Sequence, residues 1–258
     1  MQIVILCGGK GTRIRDVSEV IPKPMLPIGN RPILWHIMKH YDYFGFRKFT
    51  LCLGYKAEFI KQYFLNYQYM NNDFSINLKT RDTCAIGENG SEDWDVFCIN
   101  TGMNAMTGFR IKRLERFLNG GPFMVTYGDA VSTVDVRALL EFHSSHGRIA
   151  TVTGVHPLGR FGELEVKGDM VTAFNEKPHN KRDRINGGYF VFEPQVFDFI
   201  EEKEDEVLEK GPLNRLAREN QLMVFCHDGF WQPMDTLREY EKLNRMWGMG
   251  KAAWKIWS

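Results

Sequence analysis

Long apolar runs are missing from this chain, so it holds no segment of the roughly 20 residues that a helix needs to cross a bilayer. Cysteine is scarce: the five residues at positions 7, 52, 84, 98 and 226 contain no Cys-x-x-Cys pair and leave an odd one over. That pattern excludes a disulfide framework and suits reduced thiols inside a cell. Excess charge is absent as well, since 33 Lys and Arg face 32 Asp and Glu for a formal net charge of +1. Without a global basic field nucleic acid is a poor partner, whereas a small anion needs only a local positive site. No Gly/Ser- or Pro-rich linker and no internal repeat divides the chain, and the first apolar strand begins almost at Met1 with no signal segment ahead of it. The expectation is a soluble cytoplasmic protein whose 258 residues, 43% of them hydrophobic, bury a large core.

What is present concentrates at the start. Gln2 to Leu6 is a short β-branched run, read as a buried parallel strand, and it stops at Gly8-Gly9. Gly8, Gly9 and Gly11 let backbone N–H groups approach an anion closely. Lys10 and Arg13 add positive charge there, and Lys23 follows between two prolines that stiffen its approach. The outline is that of a polyphosphate site. Two commoner glycine motifs do not fit: Lys10 is followed by Gly11 where a Walker loop needs Ser or Thr, and Gly9 to Ile14 does not match G-x-G-x-x-G.

Further along, Ile33, Leu34, Ile37, Met38 and Tyr41 are spaced as a helix that closes near Gly45, with a strand at 48–53 and a second helix at 57–66. Strand, helix, strand, helix implies a parallel sheet. His36 and His40 share a face, but Ile37 stands where H-e-x-x-h chemistry needs Glu, so both read as ordinary helix residues. Residues 67–108 break the rhythm with a polar stretch between two short apolar runs, 74–78 and 96–99, and read as an insertion or hairpin excursion. A helix at 109–117, a strand at 123–127, a helix at about 134–145 and strands at 149–155, 163–166, 171–174 and 187–192 follow. The charged stretch 201–210 reads as a solvated helix face or loop. The aromatic tail from Trp247 to Trp257 reads first as docked on its own core and second as a subunit contact. Asp129 stands at a carboxyl strand end, where a parallel sheet exposes ligands, although such an Asp is also a common turn or helix cap.

GGKGTR followed by PKPM resembles the signature of sugar-1-phosphate nucleotidyltransferases, and the resemblance spans nearly the whole chain. Thr101-Gly102, Met106 to Arg113, Gly159 to Gly162 and Gly229 to Arg238 narrow it to the branch that uses CTP and glucose 1-phosphate. The resemblance implies an α/β fold with a Rossmann-like, mostly parallel sheet flanked by helices and a small β-rich lobe. It also implies one domain over residues 1–258: a nucleotide part to about 130 with the 67–108 excursion, then a sugar-phosphate part and C-terminal helix and tail. The implied reaction is attack of glucose 1-phosphate on the α-phosphorus of CTP, giving CDP-glucose, a deoxysugar precursor for surface polysaccharide, and pyrophosphate. Two mutually repelling anions must meet, which calls for cations, a metal and a grip on each substrate, not a covalent nucleophile.

The resemblance assigns Arg13 and Lys23 to catalysis at the triphosphate. It assigns Gly8, Gly9, Gly11, Thr12, Arg13, Lys23, Thr107 and Arg110 to the nucleotide, Glu176, Lys177, Asn186 and Gly187 to the sugar phosphate, and Asp129 and Asp235 to Mg²⁺. Without the resemblance Asp235 reads equally well as the N-cap of the last helix. Homo-oligomers, a hexamer among them, are implied partners. Three positions depart from the pattern: Phe109 replaces a second glycine, Ala130 follows the metal aspartate in place of glycine, and Cys7 replaces a small residue. Another phosphorylated acceptor, or a non-catalytic nucleotide- or sugar-phosphate-sensing relative, stays open as an alternative.

Overall fold

The computed structural model describes residues 1–9, 11, 20–86, 92–118, 120–156, 163–167, 170–175 and 184–257. Seven strands make the central sheet: β1 (Gln2–Leu6), β2 (Lys48–Leu53), β3 (Asp95–Asn100), β4 (Phe123–Tyr127), β5 (Ala150–Val155), β6 (Ile185–Phe192) and β7 (Leu222–His227). Their order is β7-β5-β6-β4-β1-β2-β3, and β6 alone among them runs antiparallel to its neighbours. The mostly parallel α/β architecture is thus the one expected.

β1 lies inside this sheet, with Gln2 opposite Lys48 on one side and Phe123 on the other. A strand covered on both faces must be apolar throughout, and Ile3, Val4 and Ile5 are fully buried. Alternate residues feed two cores. Ile3 and Ile5 join one core with α1 (Ile33–Tyr43), α2 (Ala57–Leu65), α5 (Val136–His146) and α7 (Leu237–Gly248), flanked by the short α3 (Tyr67–Asn71). Val4 and Leu6 join the other with α4 (Thr107–Lys112) and α6 (Pro212–Arg218). The antiparallel pairs at 163–167 and 170–175, and at 73–76 and 83–86, match the expected short strands and hairpin excursion.

Four expectations need correction. The run at 96–99 belongs to β3, an edge strand of the main sheet, and not to the excursion. The helix placed at 109–117 is α4 followed by a separate 3-10 turn, Glu115–Phe117. α5 starts at Val136, two residues later than expected, because Asp135 caps it by accepting from the N–H groups of Arg137 and Ala138. β7 was not expected at all.

His36 and His40 are buried and donate from Nε2 to separate carbonyls, Ile28 O at 2.9 Å and Val134 O at 2.8 Å. Burial lowers the pKa of each to about 4, so they pack as neutral rings. The tail docks on its own core: Trp254 stacks on Phe230 and Trp247, and Trp257 meets Trp35 edge to face. Among the described residues no helix is long and apolar enough to cross a membrane.

Candidate active site

A cleft of about 500 Å³ opens where β1 and β4 stop. Its lining includes Gly8, Gly9, Gly11, Met106, Thr107, Arg110, Tyr127, Asn186, Glu209 and Trp231, and Lys23, Asp129 and Asp235 lie in its wall. Parts as far apart in sequence as Lys23 and Asp235, 212 residues, are brought together at the carboxyl ends of parallel strands, the usual place for ligands in such sheets.

The two aspartates are placed by a short antiparallel pair. Ala130–Ser132 runs against Trp231–Pro233, with Ala130 opposite Pro233, and Met234 N–H donates to Asp129 O at 2.9 Å. Asp129 therefore stands beside Asp235 at one end of that ladder. Thr236, not Asp235, is the N-cap of α7, in a capping box with Glu239. The alternative reading of Asp235 as N-cap is thereby corrected, and among the described helices none has Asp129 as its N-cap.

Lys23 opens the 3-10 turn Lys23–Met25, between Pro22 and Pro24, and that turn is closed by Met25 N–H to Pro22 O at 2.8 Å. Its ammonium lies 2.6 Å from Asp129 Oδ2 and 2.6 Å from Asp235 Oδ1. Burial opposes the charge, but the two carboxylates outweigh it and hold the lysine pKa above its ordinary value. Two carboxylates already sharing one cation are a donor pair that a divalent cation fits, with water and phosphate oxygens supplying the rest of an octahedron.

Arg110 is buried at 4% exposure, and its donors are turned to the protein. Nη1 faces Thr101 Oγ1 at 2.8 Å, Gly102 O at 2.8 Å and Leu53 O at 3.1 Å, and Nη2 donates to Gly8 O at 2.9 Å. The guanidinium fastens the glycine loop to the end of β2 and to the segment before α4. Gly8 is what lets it approach: a Cβ there would lie 2.2 Å from the guanidinium carbon. Phe109, one residue away, is turned aside, its ring under the Arg113 guanidinium and not among the cleft-lining side chains. Ala130 and Cys7 are both buried and line the cleft, and burial raises the Cys7 thiol pKa, which suits an inert core thiol.

Thr107 and Asn186 both line the cleft. Gly187 contributes its carbonyl, which accepts from Trp231 Nε1 at 2.8 Å. Thr12, Arg13, Glu176 and Lys177 lie outside the described residues. Sequence reasoning missed Tyr127 and Glu209 as cleft residues. Glu209 belongs to the stretch read as a solvated helix face or loop: the segment is a loop, exposed over 201–205, but its second half turns inward and straps α4. Met106 N–H donates to Glu204 O at 2.8 Å, Gly108 and Phe109 N–H donate to Glu206 O at 2.9 and 3.2 Å, and Arg215 of α6 holds Glu206 from behind.

A glycine-lined loop, a shared pair of carboxylates and further polar lining define an α/β protein that handles a phosphorylated nucleotide at its strand ends. The chain belongs to the nucleotidyl transferase family, whose model matches residues 2–247. It is 43% identical over 258 residues to the glucose-1-phosphate cytidylyltransferase of Salmonella typhimurium, covering 100% of both chains. Among solved structures, HddC from Yersinia pseudotuberculosis superposes with a TM-score of 0.66 at 24% identity, over 95% of this chain and 99% of that one. A UDP-glucose pyrophosphorylase bound to UDP-glucose superposes with a TM-score of 0.68 at 15% identity, over 96% and 98%. These two likenesses speak for the fold.

Proposed function

We propose that the chain, acting as one nucleotidyltransferase domain over residues 1–258, transfers a cytidylyl group from CTP to α-D-glucose 1-phosphate, giving CDP-glucose and pyrophosphate. The observation that carries this reading is Lys23 held between Asp129 and Asp235 in the cleft that also contains the glycine loop and Asn186. The full-length 43% identity to a glucose-1-phosphate cytidylyltransferase supplies the choice of nucleotide and sugar.

In this reading Gly8, Gly9, Gly11 and Thr12 present backbone and hydroxyl donors to the triphosphate, and Arg13 and Lys23 neutralise charge that builds on the α-phosphate and the leaving pyrophosphate. Thr107 and the wall braced by Arg110 hold the nucleoside end. Asn186, Gly187 and Glu176 take the sugar hydroxyls, and Lys177 takes the monophosphate that attacks in line. Asp129 and Asp235 hold Mg²⁺, which when bound screens the phosphate oxygens and lowers the repulsion between the two substrates. We place the enzyme in the cytoplasm, where CTP is made and where its five unpaired thiols stay reduced.

A panel of four NTPs against several sugar 1-phosphates, read by pyrophosphate release, tests the reading. The expected result is turnover with CTP and glucose 1-phosphate that stops on chelation of divalent ions. Silence with every pair overturns the enzyme, and turnover with UTP or dTTP alone overturns the cytidine assignment.

We also propose that the protein works as a homo-oligomer, a hexamer being the form the family resemblance suggests. Met70, Phe74, Ile76, Leu78, Ile86 and Phe97 are all exposed on the 67–86 excursion and the edge strand β3, and exposed apolar side chains in this number suit a subunit contact. Light scattering across a hundredfold range of concentration is expected to report an assembly, and a monomer at every concentration would refute it.

A further inference from the structure

One carboxylate links α4 to β4 in the lining of the cleft. Glu209 Oε2 accepts from Thr107 Oγ1 at 2.8 Å, at the start of α4 on the nucleotide side. Glu209 Oε1 accepts from the Tyr127 hydroxyl, and the Tyr127 oxygen accepts in turn from Asn186 Nδ2 at 3.0 Å on the sugar side. The chain is closed at both extremes by backbone donors: Leu208 N–H to Thr107 Oγ1 at 2.9 Å, and Gly188 N–H to Asn186 Oδ1 at 2.8 Å. Thr107 of α4 and Tyr127 of β4 meet on this one side chain from the strap before α6, and Asn186 of β6 is reached through Tyr127.

The direction of every bond follows from the chemistry of its ends. A carboxylate only accepts, so the Tyr127 hydroxyl must give its proton to Glu209 and offer a lone pair to Asn186. Burial first, and the neighbouring Glu209 second, push the Tyr127 phenol pKa up, so the proton stays available to donate. Asn186 must then turn its NH₂ to Tyr127 and its oxygen to Gly188, which fixes which amide atom faces the cleft. Gly188 adopts φ +79°, and a Cβ there would meet the Tyr127 ring at 2.4 Å, so the tyrosine is seated by shape as well. Among the described residues Glu209 forms no ion pair. A negative group beside a site for anions has no use as a phosphate ligand, which leaves orientation as its function.

We infer that Glu209 is a positioning residue that sets, through Thr107 on one side and Tyr127 and Asn186 on the other, how both substrates are gripped. This rests on the reading that a nucleotide and a sugar phosphate share the cleft. Removing the carboxylate frees the Tyr127 hydroxyl to rotate and the Asn186 amide to flip, and loosens the start of α4, without touching Lys23 or the aspartates.

Steady-state kinetics of the full chain with CTP and glucose 1-phosphate, together with melting curves, test this in three variants. Glu209→Ala is expected to raise the KM for both substrates about tenfold, the scale of a lost hydrogen bond to a charged group, with kcat within about threefold of the parent. Tyr127→Phe breaks only the sugar-side arm, so it is expected to raise the sugar-phosphate KM about three- to tenfold and leave the CTP KM within about twofold. Glu209→Gln has one acceptor oxygen in place of two and is expected to recover one of the two KM values. A merely structural residue would lower the melting temperature without this split. Equal effects of Tyr127→Phe on both substrates, or unchanged KM values in Glu209→Ala, overturn the inference. Should Glu209→Ala fail to fold, Tyr127→Phe and Glu209→Gln decide alone. If the unaltered protein binds neither substrate by calorimetry, the substrate reading falls and takes this inference with it, whereas a working parent with unsplit variants removes the inference only.

Discussion

Replacing Lys23 with methionine is expected to lower turnover on the order of 10²–10³-fold while tightening the binding of a divalent cation to the nucleotide-free protein. The first effect follows from the loss of a cation aimed at charge that develops during reaction, a class of change with that typical cost. The second follows from geometry. The ammonium lies 2.6 Å from one carboxylate oxygen of each aspartate, so it occupies the position from which a metal would be held. A metal entering the free protein must first displace two charge-assisted hydrogen bonds, each worth about 1.5–3 kcal/mol. Removing the lysine removes that competition, and since about 1.4 kcal/mol is tenfold in affinity, a tenfold or greater gain for Mn²⁺ follows. Titration of Mn²⁺ by electron paramagnetic resonance measures it without any turnover. Unchanged or weaker Mn²⁺ binding in the variant would show that the lysine and the metal do not share the carboxylates. The competition gives Lys23 a second consequence: a triphosphate would draw its ammonium toward the phosphate oxygens and leave Asp129 and Asp235 to hold a divalent ion.

How much of this arrangement is legible in the sequence depends on how local its cause is. The glycine turn is readable because it closes an apolar strand, whereas Lys23, Asp129 and Asp235 are legible through the family resemblance of their short motifs, since each residue alone also fits an ordinary turn or cap. The strands that sequence reasoning misplaced or missed, β3 and β7, are the two edges of the sheet. An edge strand buries fewer of its residues, and the alternating exposure of Asp95–Asn100 and Leu222–His227 lacks the continuous apolar run that marks β1. Glu209 is illegible for a different reason: it stands in a stretch dense in charge, where buried Leu208 beside it is a brief apolar signal, and nothing local says that this one carboxylate turns inward to meet Thr107 and Tyr127. Thr236 could have been read as the cap of α7, since Thr236 and Glu239 have capping-box spacing, and that would have released Asp235 for the cleft.

Arg110 marks the limit most clearly, because a sequence shows an arginine near a nucleotide motif but not the carbonyls around it. Its guanidinium bonds Gly8, Leu53, Gly102 and Thr101, so its contribution to the nucleotide end is expected to run through the shape of the wall. Arg110→Met would leave Gly102 O without its donor, whereas Leu53 O keeps the Thr101 N–H and hydroxyl and Gly8 O keeps the Tyr55 N–H. The stranded carbonyl costs about 1–3 kcal/mol and the other lost bonds add less, so a total on the order of 2–4 kcal/mol is expected. In a chain of this size about 2–4 °C accompanies each kcal/mol, which puts the fall in melting temperature near ~10 °C. Arg110→Lys keeps the charge but not the planar fork that reaches acceptors on two sides, and is expected to recover less than half of the loss. Because Gly8 and the segment before α4 lose a common fastening, the nucleotide KM should rise in step with the loss of stability. A direct contact with the nucleotide would behave otherwise: the methionine variant would melt with the parent and fail only in nucleotide binding. Calorimetric melting paired with CTP titration separates the two, and a parent-like melting temperature in Arg110→Met would remove the wall-bracing role.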